Sequence, residues 1–167
     1  MERNARFFAL VIGLLGIAGL VAQFILSLED NLTTGRTLWS LARYFTILTN
    51  TMVAASFTYM GVTGRRLSPE WLAALTLWIL IVAVVYHGLL ANYDKAGLDL
   101  FADHAVHTLV PGLTAIWWFL FARHIAFPWR LAALWLWWPL LYVSYLLLRG
   151  GLDGKYPYFF VHLPIFT

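Results

Sequence analysis

Five long apolar runs, each closed by a short polar or turn-rich break, set the plan of this chain: roughly residues 7–28, 43–62, 71–90, 104–121 and 131–148. A helix needs about 20 mostly apolar residues to cross the hydrocarbon layer of a bilayer. The pattern therefore predicts an all-α, polytopic transmembrane bundle with five spans, forming a single domain over residues 1–167. The first run follows Arg3 and Arg6 as the core of a signal peptide does, but it is too long for one and no small-residue cleavage site follows. It reads as a retained helix.

The breaks differ in character. Residues 29–40 hold Asn31, Thr33, Thr34 and Gly35 and read as a polar, turn-prone connector. Shorter breaks fall at 64–69, 92–99 and 123–129, the last containing His124 as a loop residue. After Leu148 the chain changes, because Gly150, Gly151, Gly154, Pro157 and Pro164 interrupt a tail of mixed polarity and aromatics that also carries His162. That tail reads as a loop or re-entrant piece and not as a sixth span.

Composition agrees with the pattern and narrows the function. Hydrophobic residues make up 62% of the chain and charged residues 11%, against about 45 to 50% and about 25% in soluble domains. The chain has no cysteine, which excludes disulfides, thiolate metal sites and a thiol nucleophile. The net charge of +3 comes from arginines at segment ends, and no basic run alternates with aromatics as a nucleic-acid surface requires. Arg3, Arg6, Arg65, Arg66, Arg123 and Arg130 fall on the amino-terminal side, against Arg36, Arg43, Lys95, Arg149 and Lys155 on the other. The bias favours a cytoplasmic amino terminus. Gly13, Gly16 and Gly19 form a stripe that lets helices approach closely. The tryptophans at 117, 118, 129, 135, 137 and 138 read as an aromatic belt at the cytoplasmic interface.

Threading five spans alternately across the bilayer gathers most polar side chains in one leaflet. The second span brings Arg43, Thr46, Thr49 and Asn50, and the third His87. Asp103, His104, His107 and Thr108 come with the fourth, and Tyr142, Tyr145 and Arg149 with the fifth, followed by Tyr156. Ionisable groups at such depth are costly and mark functional sites. Arg43, Thr46 and Asn50 share a helical face by spacing, and Asp103, His104 and His107 stand three and four residues apart on adjoining turns. Asp103 can accept from one ring nitrogen of His107 and fix its tautomer, leaving the other to face Thr46. Each residue also has a plainer role. Thr46 can bond its own backbone, His87 can serve as a structural hydrogen-bonding group, and Arg43 and Arg149 can snorkel to headgroups. A guanidinium at the site can alternatively hold an anionic lipid carboxylate.

The segment Tyr44-Phe45-Thr46-Ile47-Leu48-Thr49-Asn50 and the motif His104-x-x-His107-Thr108 followed by Pro111 resemble the androgen-induced family of integral-membrane threonine hydrolases, and the tail residues Arg149-Gly150 and Lys155-Tyr156-Pro157-Tyr158 are similar to those of its bacterial relatives, which implies a bacterial inner membrane. Its animal members include hydrolases of fatty acid esters of hydroxy fatty acids. The resemblance implies a lipid-ester hydrolase with Thr46 as nucleophile and His107 as general base, no cofactor, and a family pattern of six membrane helices. Asp103, His104, Asn50, Thr49 and His87 then support the site, and Arg43, Tyr142, Tyr145 and Arg149 contact substrate. The oxyanion donor stays open among Asn50, Thr49 and a tyrosine hydroxyl. Two other readings stand beside this one. His87, Asp103, His104 and His107 offer ligands for a zinc hydrolase, or the bundle binds lipid without catalysis.

Overall fold

The computed structural model describes residues 1–31, 33–91, 94–122 and 127–158. Among them every regular element is a helix: α1 (Arg3–Asn31), α2 (Thr34–Leu41), α3 (Phe45–Thr63), α4 (Pro69–Leu90), α5 (Gly97–Phe121) and α6 (Trp129–Asp153). Four of these are long and apolar enough to cross a membrane: α1 over Arg3–Asp30, α4, α5 and α6. The 19-residue α3 has the length. Its five threonines, Ser56 and Asn50 dilute its apolar character and keep it outside that group.

Several boundaries differ from the sequence pattern, each for a local reason. The polar stretch 29–40 is largely helical and not an open connector. Thr33 caps α2 by accepting from Arg36 N at 3.4 Å, a side-chain role that offsets the missing helical acceptor at a helix start. α5 begins at Gly97, whose φ of 58° suits glycine, so Asp99 and Asp103 lie inside the helix. In the tail, Gly150 and Gly151 stay helical and α6 runs to Asp153. Gly154, at φ 68°, then terminates it in the left-handed conformation that glycine adopts without strain. Pro164, His162 and His124 lie outside the described residues.

The chain forms two compact units, Met1–Phe127 and Pro128–Thr167. In the first, α1 runs antiparallel to α3. Gly13 lies against Thr58, Gly16 against Ala54, and Gly61 against Leu10. A Cβ at Gly13 would stand 2.6 Å from the Thr58 nitrogen, and one at Gly61 only 2.7 Å from the Leu10 Cα. The glycines set the helix separation, as the small-residue stripe predicts. Gly19 faces Ala105 and Val106 of α5.

α5 is antiparallel to α1 and parallel to α3. Trp117 donates its indole N–H to Ala5 O at 2.9 Å and meets Phe57 edge-on at 5.3 Å between ring centroids. Trp117 is therefore a fully buried core residue and not part of an interfacial belt. Its indole hydrogen has a partner there, which removes the usual reason for a tryptophan to stay near water. α4 packs antiparallel to α3, with Trp71 Nε1 donating to Ser56 Oγ at 3.0 Å. Arg6 closes the opposite end by donating to Gly61 O and Val62 O, each at 2.8 Å, where α3 leaves its last carbonyls unpaired. This up-and-down arrangement puts the start of α3, the end of α4 and the start of α5 at one end of the unit. Phe7, Leu14, Ile17, Val21 and Ile25 of α1 are exposed and form an apolar outer stripe.

Candidate functional site

Two widened helical turns face each other at that end. Tyr86–Leu90, at the end of α4, and Ala105–Leu109, within α5, are both π-helical, a geometry that is rare and concentrates at functional sites. The α5 turn has a cause in the sequence. Val110 N–H bonds to Ala105 O, one residue beyond the α-helical acceptor, and Pro111 has no N–H to give. The Val106 carbonyl is thereby left without a helical donor.

Asn50 supplies the missing donor. Its Nδ2 donates to Val106 O at 3.0 Å and to Thr46 O at 2.9 Å, so one buried carboxamide joins the first turn of α3 to the α5 π-turn. Both of its N–H groups are thereby engaged. Its Oδ1 is buried with no partner among the described residues.

Asp103 is the hub of the polar cluster. It is buried and accepts from Tyr86 Oη on Oδ2 at 2.6 Å and from Lys95 Nζ on Oδ1 at 2.6 Å. His107 Nδ1 lies 3.3 Å from Asp103 Oδ1 and 3.0 Å from Asp103 O. Two acceptors around Nδ1 place the ring hydrogen there and leave Nε2 as an acceptor. The ring is further fixed by Tyr86, which stacks on it at 3.8 Å with 14° between planes. Beside this pair, His87 Nε2 lies 3.1 Å from Thr108 Oγ1, and the His87 ring meets Tyr86 edge-on at 5.1 Å. Residues 86 and 87 of one turn thus oppose 107 and 108 of the other.

Not every residue singled out by spacing joins this cluster. His104 is exposed and folds back on its own helix, with Nδ1 3.1 Å from Leu100 O, so the three-residue spacing to His107 does not bring the rings together. Arg43 is buried but precedes the helix, since Tyr44 is the N-cap of α3. It is not in helical register with Thr46 and Asn50. Thr49 is fully buried. Thr46 is half-buried, and its carbonyl is held by Asn50. No hydrogen bond joins its side chain to His107 among the described residues. Tyr142, Tyr145 and Arg149 belong to the second unit, where Arg149 Nη1 donates to Tyr145 Oη at 2.6 Å and Arg149 Nε lies 3.8 Å from Asp153 Oδ2.

Sequence reasoning missed Tyr86 and Lys95. Lys95 was legible, since Lys95, Asp99, Asp103 and His107 recur every fourth residue, and Lys95 Nζ also lies 3.9 Å from Asp99. Tyr86 had no distinguishing signal beyond its adjacency to His87.

Among the described residues, no three His, Asp or Glu side chains are arranged to hold a metal ion. His107 Nδ1 is turned to Asp103, His104 to Leu100 and His87 to Thr108, so the four candidate ligands do not converge. No family model, curated protein or solved structure matches the chain.

Proposed function

We propose that this chain is an intramembrane hydrolase of lipid-like carboxylic esters, related to the androgen-induced family that its motifs resemble, with Thr46 as nucleophile and His107 as general base. The observation that carries this reading is the state of His107. Its Nδ1 is tied to Asp103, its ring is clamped by Tyr86, and its Nε2 is left to accept a proton, the arrangement an imidazole base requires. Asn50 links the Thr46 carbonyl to the turn that bears His107, which sets the hydroxyl and the imidazole at the same end of one helix unit.

In this mechanism His107 Nε2 takes the Thr46 proton, and Thr46 Oγ1 attacks the ester carbonyl. The tetrahedral adduct then collapses as the leaving alcohol takes the proton from His107. Water, activated by the same nitrogen, releases the acid from acyl-Thr46 and restores the hydroxyl. The Thr46–Nε2 separation closes to about 3 Å when substrate is bound, since catalytic hydrogen bonds are often long in the unliganded state. The acyl chains enter sideways between helices. α3 completes a five-span arrangement, with Thr49, Asn50 and Ser56 turned to protein and the amino terminus in the cytoplasm of a bacterial cell.

The test is turnover of a long-chain ester by purified protein. Thr46→Ala and His107→Ala each abolish it while leaving folding intact, and a fluorophosphonate probe labels Thr46. Full activity in either variant sinks the threonine mechanism. Lipid binding with neither turnover nor labelling identifies a non-catalytic lipid-binding protein instead.

A further inference from the structure

We infer that the Thr108 hydroxyl, held by His87, is the donor that stabilises the oxyanion of this reaction; the inference rests on the hydrolase reading and names a group that reading leaves open. The attack by Thr46 puts a negative charge on the former carbonyl oxygen, and a hydrogen-bond donor must meet it there.

The neighbouring donors are already committed. Both N–H groups of Asn50 go to carbonyls, at 2.9 and 3.0 Å. The Tyr86 hydroxyl has one hydrogen, which goes to Asp103 Oδ2. Thr49 is fully buried, out of reach of a substrate. Thr108 differs on each count. It is exposed, it follows the base His107 directly in the chain, and it sits on the same π-turn.

Its partner prepares it for the task. With hydrogen on Nε2, His87 donates to Thr108 Oγ1 across 3.1 Å, and a hydroxyl that accepts one hydrogen bond still has its own hydrogen to give. That hydrogen then points away from His87 toward the incoming carbonyl oxygen. The edge of the His87 ring against Tyr86 restricts its rotation, so the donor is oriented before substrate arrives, which is what makes such groups effective. No proton is transferred at this position. The hydrogen bond strengthens as charge develops and weakens as the adduct collapses. Thr108 is therefore a catalytic residue and His87 a positioning residue.

Full-length protein in mild detergent, 4-nitrophenyl octanoate as probe ester, and acid quench with mass-spectrometric location of the acyl group provide the experiment. Thr108→Val keeps the shape of the side chain and removes the O–H. It lowers kcat by about 10²- to 10³-fold with little change in KM, and the acyl group still appears on Thr46, more slowly. His87→Leu lowers kcat similarly. His87→Gln, whose amide N–H can donate to Thr108 but cannot take up a proton, recovers most of that loss. An acyl group on Thr108, or abolition of activity in His87→Gln, makes this pair a nucleophile and base and overturns the donor role. Unchanged kcat in Thr108→Val, in protein that still acylates Thr46, overturns it without touching the hydrolase reading. No turnover and no acyl group in the unmodified protein overturns both.

Discussion

Pro111 and Asn50 lie 61 positions apart, yet each should set the energetic cost of changing the other, and a double-mutant cycle measures the link. Asn50→Leu conserves volume and removes the donor to Val106 O. Thr46 O keeps its own helical donor within α3, whereas Val106 O, buried beside Pro111, is stranded. A buried carbonyl left unpaired costs about 1–3 kcal/mol, while side-chain hydrogen bonds in membrane bundles average about 0.6 kcal/mol and reach about 1.7. The site belongs near the upper end of that membrane range, because both the donor and the acceptor are fully enclosed. The expected cost is about 1–2 kcal/mol. In Pro111→Ala protein residue 111 regains an N–H, and either it or the N–H of Val110 can reach Val106 O. The same Asn50→Leu change then costs about 1 kcal/mol less. Unfolding by titration of sodium dodecyl sulfate into mild micelles, followed by tryptophan fluorescence, gives the four free energies. Effects that simply add, within about 0.3 kcal/mol, would refute the account of the π-turn as a carbonyl released by proline and captured by asparagine.

Three further outcomes follow from the same contacts. Asp103→Asn keeps the size of the hub but removes the charge from one of the two acceptors, at 3.3 and 3.0 Å, that hold the Nδ1–H of His107. We expect ester turnover to fall by roughly 10²- to 10⁴-fold with KM little changed, and equal turnover in a steady-state assay would argue against an orienting role. Gly13→Ala drives a methyl group into the Thr58 backbone at 2.6 Å and should destabilise by about 1–3 kcal/mol in the same denaturation assay. Gly112→Ala, with nothing within 4 Å of the new methyl and helical surroundings, should be neutral or stabilise by up to about 1 kcal/mol; a loss comparable to that of Gly13→Ala would contradict the packing described.

The apolar runs were strong enough to reveal helices and weak at their ends. The run from 104 to 121 marks the lipid-length part of α5, but the helix starts seven residues earlier, since Asp99 and Asp103 interrupt hydropathy without interrupting helical geometry. A polar face toward a polar cluster looks like a loop to any reading based on hydrophobicity alone. α3 shows the converse, since the run from 43 to 62 marked it as a helix although its threonines and Asn50 dilute its apolar character. In the site, the Asp103–His107 pair was legible because four residues is one helical turn. His104 was misread by the same rule, because neighbouring positions on a helix point in different directions and a single spacing does not say which one meets the partner helix. Tyr86 was invisible because its role depends on two elements meeting, and nothing in residues 69–90 records where α5 lies.

The paired π-turns explain why so many functional groups fit in so small a contact. An α-helix turns each successive side chain well away from the last, so two adjacent residues seldom both face the same neighbour. A π-turn holds more residues per turn and lets consecutive side chains diverge less. In α4 this keeps Tyr86 and His87 together, and in α5 it does the same for His107 and Thr108, so the stacked pair at 3.8 Å and the hydrogen-bonded pair at 3.1 Å lie side by side. The cost of the wider turn is an orphaned carbonyl, and Asn50 answers it from α3. The residue that repairs the backbone defect also bonds the Thr46 carbonyl, one turn earlier in its own helix. Converting the α5 turn to regular α-helix would therefore disturb His107, the Thr108 hydroxyl beside it and the approach of the opposing helix together, which makes Pro111 a determinant of the geometry of this cluster although it carries no chemistry of its own.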